Sequence, residues 1–264
     1  MSTGELLKSS WDWEPSVVAG CAILAAGYLA LLRRRASRRA VWFLTGVLLL
    51  LLDLVSPIDF LGDTYLFSAH VLQHFLLALV IPPLLLLGTP PDFAAVALKR
   101  PLIAGVERVL ASPFLAWPLG VGAMLAWHIP VFFNAALANY GLHIAQHLSF
   151  LVTGTIFWWP VLQPDHARRL APLAGMAYLF SACTACSVLG AYLTFGPAGL
   201  YPAYTNPPDG SGTLALIRDG WGLDSKNDQQ LGGMLMWVPG CLVYLTGILT
   251  IAARWYGAPQ EVRG

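Results

Sequence analysis

Apolar runs, each closed by charge, proline or glycine, recur seven times along the chain, over approximately 15–32, 40–57, 67–88, 112–134, 141–162, 172–195 and 230–253. A helix crossing the hydrocarbon layer of a bilayer needs roughly 17–25 mostly apolar residues. The pattern therefore predicts an all-α, polytopic membrane protein with seven transmembrane helices. The one long polar stretch, at about 196–229, is expected to order as an extracytoplasmic loop over the bundle rather than as a second unit. Residues 1–264 then make a single integral membrane domain. Of the two proline pairs, Pro82-Pro83 is expected to kink or unwind the third span near its far end, while Pro207-Pro208 falls in the loop. The opening segment MSTGELLKSSWDWEP has neither a basic leader region nor a small-residue cleavage site, so the first apolar run reads as a retained span.

Composition agrees with a membrane setting. Hydrophobic residues make up 57% and charged residues 11% of the chain, against about 45–50% and about 25% in soluble domains. A formal net charge of +1 gives no electrostatic case for nucleic acid. Distribution is more informative than the total. Arg33, Arg34, Arg35, Arg38, Arg39, Lys99, Arg100, Arg108, Arg168, Arg169, Arg254 and Arg263 fall on one side of the predicted spans, 12 of the 15 basic residues. Lys8, Arg218 and Lys226 fall on the other, together with Asp12, Glu14, Asp53, Asp59, Asp63, Asp209, Asp219, Asp224 and Asp228. Short cytoplasmic loops are enriched in Lys and Arg, which puts the N-terminus outside and the C-terminus in the cytoplasm.

Within this frame the histidines gather. HVLQH at 70–74 returns as HIAQH at 143–147, and His128 lies between the copies. The third and fifth spans both enter from outside, so His70, His74, His143 and His147 share one depth, with His128 close by. Only His166 falls on the cytoplasmic side. Residues four apart on a helix face the same way, with Cβ atoms about 5–6 Å apart, so each HxxQH presents two imidazoles on one stripe. Imidazole is the commonest side-chain metal ligand and suits Cu, Zn, Fe and Ni. Gln73 and Gln146 sit on a neighbouring face, suited to hydrogen bonds across helices. A single histidine near a span's end is more often a packing or interfacial residue. Two identical pairs favour a shared polar or metal site, because ionisable groups inside a membrane are expensive and usually functional.

Other candidates carry less signal. Cys183 and Cys186 have CxxC spacing and suit Cu(I) or Zn, but lie mid-span, where a small hydrophobe is the commoner role; Cys21 and Cys241 read as buried hydrophobes. Met234 and Met236 offer thioether sulfur, though Met in an apolar helix usually packs. Asp53 and Asp228 are candidates to supply oxygen or to tune a histidine, with a solvated interfacial carboxylate as the plainer alternative. The tryptophans, including Trp158 and Trp159, fit an interfacial belt. No phosphate loop, GxSxG or HExxH motif occurs, and no catalytic constellation is apparent.

Four ordered segments, SAHVLQHFLLALVIPPLLLLGTP at 68–90, WHIPVFFNAAL at 127–137, HIAQHLSFLVTGTIFWWPVL at 143–162 and DQQLGGMLMWVPG at 228–240, resemble the CtaG family of cytochrome c oxidase assembly factors, the multi-span type named for caa-type oxidases. The resemblance runs from about residue 55 to the end. It implies a bacterial plasma-membrane protein needed to mature a haem-copper oxidase, a chaperone that helps copper reach the oxidase subunits. Its matched polar positions are His70, Gln73, His74, His128, His143, His147, Asp228, Gln229 and Gln230; Cys183 and Cys186 are not among them. The resulting expectation is a seven-helix bundle in membrane lipid, not an enzyme, that holds copper near its outer face between spans three, four and five. A b-type haem protein, with axial histidines from spans three and five, and a metal-free scaffold for oxidase subunits are the alternatives.

Overall fold

The computed structural model describes residues 2–32 and 38–257, and every regular element among them is helical. Arg33, Arg34, Arg35 and Arg263 of the basic set lie outside the described residues. A short helix, α1 (Thr3–Ser9), opens the chain, closed by a reciprocal capping box between Ser2 and Glu5. The bundle comprises α2 (Pro15–Leu32), α3 (Arg38–Val55), α4 (Pro57–Thr64), α5 (Phe67–Phe75), α6 (Ile81–Gly88), α7 (Pro91–Leu98), α8 (Pro101–Leu110), α9 (Pro113–Trp127), α10 (Pro130–Ala138), α11 (Tyr140–Leu162), α12 (Pro172–Phe195) and α13 (Ser225–Gly257).

Proline sets many of these boundaries. Pro57, Pro91, Pro101, Pro113, Pro130 and Pro172 each occupy the first position of a helix, where the missing N–H is harmless and the fixed φ is already helical. The residue before each is pushed out of the helical region. One apolar run that predicts a single span is therefore broken. The second run stays one helix, α3, followed by a 47° bend into α4 at Ser56-Pro57, whereas the fourth divides at His128-Ile129 into α9 and α10. A further 68° bend separates α8 from α9.

Four helical stretches are long and apolar enough to cross a membrane, Pro15–Leu32, Phe67–Gly88, Pro172–Phe195 and Ser225–Gly257, and counting each bent pair as one span raises the number to six. At 23 residues α11 is also long enough, but His143, Gln146 and His147 dilute its apolar character.

The stretch Phe67–Gly88 does not unwind at Pro82-Pro83. Accommodation comes one turn earlier, in a π-helical turn at Leu76–Val80 where the Ile81 N–H bonds to the Leu76 carbonyl five residues back. One extra residue in a turn rotates the downstream helix by about 100° relative to a regular one, so α5 and α6 turn different faces inward. The widened turn seats on α11: a Cβ on Gly154 would lie 2.6 Å from the Ala78 carbonyl oxygen. Gly154→Ala is expected to push α11 off this turn and destabilise the protein by about 1–3 kcal/mol, measured as a lower unfolding midpoint in detergent.

Helices α12 and α13 run closely together, with Gly190 against Trp237 and Gly233 against the α12 backbone, the small-residue contact that lets membrane helices approach. Phe67, Phe133, Phe150, Phe157, Leu179 and Tyr244 fill the centre. Trp158 is part of it, only 2% exposed and stacked beside Tyr244, which corrects its expected place in an interfacial belt. Its neighbour Trp159 donates to Glu107 at 3.0 Å.

Candidate metal centre

Helices α5 and α11 lie with their HxxQH stripes face to face. Within each pair the ring centroids are 4.4 Å (His70–His74) and 4.2 Å (His143–His147) apart; between pairs they are 5.2 Å (His70–His143) and 5.7 Å (His70–His147 and His74–His147). His128, held at the break between α9 and α10, lies 5.2 Å from His74. All five rings are buried. His166 stands apart in an exposed turn, where the neighbouring Arg169 charge pushes its pKa below the usual histidine value.

Burial this complete normally comes with hydrogen bonds, and here it does not. His70 Nε2, both nitrogens of His74, His128 Nε2, His143 Nε2 and His147 Nε2 have no hydrogen-bond partner among the described residues. The bonds that do form leave the free nitrogens pointing inward. His128 Nδ1 lies 2.7 Å from the Met124 carbonyl oxygen, and His70 Nδ1 lies 3.3 Å from that of Gly62. Donation from Nδ1 leaves the lone pair on Nε2, the arrangement usual for a ligating histidine. One nitrogen each from His70, His74 and His147 lie within 4.8 Å of one another. Metal–nitrogen bonds of about 2.0 Å put ligand atoms about 3.3–3.5 Å apart, so binding would draw the rings closer together.

A second group overlaps the first. Ligand atoms of Asp63, His70 and His143 also lie within 4.8 Å of one another, and His143 Nε2 is 3.5 Å from Asp63 Oδ1. Asp63 stands on α4, beyond the stripe that the histidine spacing marks, and as one acid among many on the outer side it carries no local signal.

The other candidate residues sort themselves by contact. Gln73 donates from Nε2 to Asp59 Oδ1 at 2.8 Å and to the Asp53 carbonyl at 3.1 Å, tying α5 to α3 and α4. Gln146 is buried against His70 without a well-formed hydrogen bond. Both carboxylate oxygens of buried Asp53 lack a partner among the described residues. Asp228 serves α5 rather than a ring: it accepts from the Phe67 N–H at 2.7 Å, the Ser68 N–H at 3.0 Å and the Ser68 hydroxyl. Gln229 donates to the Leu193 and Pro197 carbonyls at 3.2 and 3.1 Å and fixes the end of α12. Gln230 is half-buried, and Met234 is exposed.

The cysteines make a separate contact between α12 and α13. Cys183 Sγ faces Cys241 Sγ at 3.2 Å, and Cys186 lies 3.4 Å from the Tyr244 hydroxyl. No hydrogen bond joins these thiols to the histidines among the described residues. Cys241 was not legible as the partner of Cys183, because 58 residues separate them.

Above the rings the polar stretch closes over the bundle. Tyr201 donates to the His128 carbonyl at 2.7 Å, and Tyr204 to the Gly62 carbonyl at 2.6 Å.

Apolar helices of spanning length bundled around buried histidines define a multi-pass membrane protein. The chain belongs to the cytochrome c oxidase caa3 assembly factor family, whose profile matches residues 23–258, further toward the N-terminus than the motifs alone reach. Uncharacterized proteins of Mycobacterium bovis and Mycobacterium leprae are each 27% identical, over 96% and 93% of this chain. The chain spans about 40% of the length of the curated relatives it matches. No solved structure matches it.

Proposed function

We propose that this assembly factor holds copper as cargo among the imidazoles of α5, α11 and the α9–α10 break, and passes it to an oxidase subunit at the outer face of the plasma membrane. The observation that carries this reading is the set of buried imidazole nitrogens without partners. Each buried polar group left unsatisfied costs about 1–3 kcal/mol, and a metal ion satisfies several convergent lone pairs together. Neutral imidazole ligates either Cu(I) or Cu(II), so transfer is ligand exchange rather than catalytic turnover. With α11 added, the four long helices and two bent pairs make seven spans, and the excess of basic residues in the odd-numbered connections orients the N-terminus outward.

The test is metal analysis of protein purified in mild detergent, beside a variant lacking His70, His74, His128, His143 and His147. About one copper per chain is expected in the wild type and none in the variant. A wild type free of copper overturns the reading: a Soret band would then identify haem, and normal oxidase maturation with the variant would identify a scaffold.

A further inference from the structure

We propose that Asp63, His143 and His70 form an outer copper station that loads the inner trio of His70, His74 and His147, an inference that rests on the copper reading above. Three observations carry it. The first is access. His70, His74 and His128 are sealed, whereas His143 and His147 both line a cavity of about 400 Å³ between α2, α3, α4 and α11. Glu14, Asp59, Asp63 and Tyr140 also line it, among mostly apolar residues. The Asp63 side chain is 39% exposed, against 11% for that of His143, so an arriving cation meets the carboxylate first.

The second is unspent ligand capacity. His143 Nε2 and His70 Nε2 are buried without hydrogen bonds, His143 Nε2 lies 3.5 Å from Asp63 Oδ1, and one ligand atom from each of the three residues lies within 4.8 Å of the others. Asp63 makes no hydrogen bond within the described residues that would compete, whereas Glu14 accepts from Tyr140 and Asp59 from Gln73. Of the three acids lining the cavity, Asp63 is the one whose oxygens accept no hydrogen bond among the described residues.

The third is the shared ligand. With Nδ1 of His70 directed at the Gly62 carbonyl, Nε2 is its one nitrogen without a hydrogen-bond partner, and His70 is a member of both groups. The stations cannot both be filled. Copper moves inward by releasing Asp63 Oδ1 and His143 Nε2 while gaining nitrogens of His74 and His147. His70 Nε2 stays bound, and the ion keeps its oxidation state. Both imidazoles stay neutral, and any proton held by the Asp63 carboxyl leaves to the cavity as copper binds and returns when the ion moves inward.

The experiment adds Cu(II) to metal-stripped full-length protein in detergent and follows bound copper over time, with electron paramagnetic resonance reporting the ligands. Saturation at one copper per chain is expected. Asp63→Asn should reach the same final occupancy but load about tenfold more slowly, within the range ascribed to electrostatic steering, while Asp63→Glu restores the rate. Full occupancy in Asp63→Asn itself shows that the variant is folded. In His74→Leu the ion should remain at the outer station, giving a signal with mixed oxygen and nitrogen ligation that does not survive gel filtration. Two coppers per chain, unchanged loading by Asp63→Asn, or no signal in His74→Leu would overturn the station and leave the inner site standing. A wild type that takes up no copper overturns both.

Discussion

Replacing His74 by leucine is expected to remove tightly held copper and at the same time to raise the stability of the metal-free protein. His74 is fully buried, with Phe150 at 4.3 Å between centroids and Phe133 at 6.1 Å, and neither of its nitrogens has a partner among the described residues. Leucine fills most of the same volume without polar atoms. Relief of the unpaired imidazole should stabilise the apo-protein by about 1–2 kcal/mol, the lower part of the range for an unsatisfied buried group. Copper affinity should fall by at least about 100-fold, the upper end of what disturbing a ligand's supporting partner alone produces. Metal analysis after gel filtration and the unfolding midpoint of the stripped protein in detergent measure the two effects. His147→Ala should lose copper in the same way, and either variant should leave the oxidase without its copper in cells. The opposite signs set this result apart from a structural role. Were the imidazoles a satisfied hydrogen-bonded cluster, leucine would destabilise the protein; a lower midpoint with copper retained would defeat the proposal.

The histidine pairs were legible in the sequence because i, i+4 spacing is a local property of a helix and survives any tertiary arrangement. Their convergence was legible only through topology: two spans entering from the same side bring equal positions to equal depth. The break in the fourth apolar run was written just as plainly, at Ile129-Pro130, but hydropathy outweighs it in a search for spans. Proline punctuation turns out to place His128, since the break before Pro130 leaves that ring at a helix end, beside His74. Asp63 and Asp228 belong to a different category. Each acts through a helix remote in sequence, and an acidic side chain at the edge of a span looks the same whether it is solvated or engaged.

Asp228 carries the second large effect. Helix α5 is preceded by Leu66, which provides no side-chain cap, so its first N–H groups would be orphaned in a buried setting. The Asp228 carboxylate, reaching from α13 across 161 positions of sequence, accepts from Phe67 and Ser68 and from the Ser68 hydroxyl. A carboxylate at a helix N-terminus gains from both charge-assisted bonding and the helix dipole. Asp228→Ala strands two buried N–H donors and a hydroxyl, which should destabilise the protein by about 2–4 kcal/mol, since bonds to charged groups contribute about 1.5–3 kcal/mol each and part is regained by relaxation. Asp228→Asn keeps an acceptor and should lie between that variant and the wild type. Ser68→Ala, which removes only the hydroxyl, should cost about 1 kcal/mol. The consequence reaches the site, because α5 carries His70 and His74 within its first two turns and its N-terminal anchor sets their depth against α11. Copper affinity measured across the three variants should therefore fall in the order of their stability losses, Ser68→Ala least and Asp228→Ala most. An Asp228→Ala protein with wild-type stability, or one that is destabilised yet binds copper as tightly as the wild type, would show that the cap does not position the ligands.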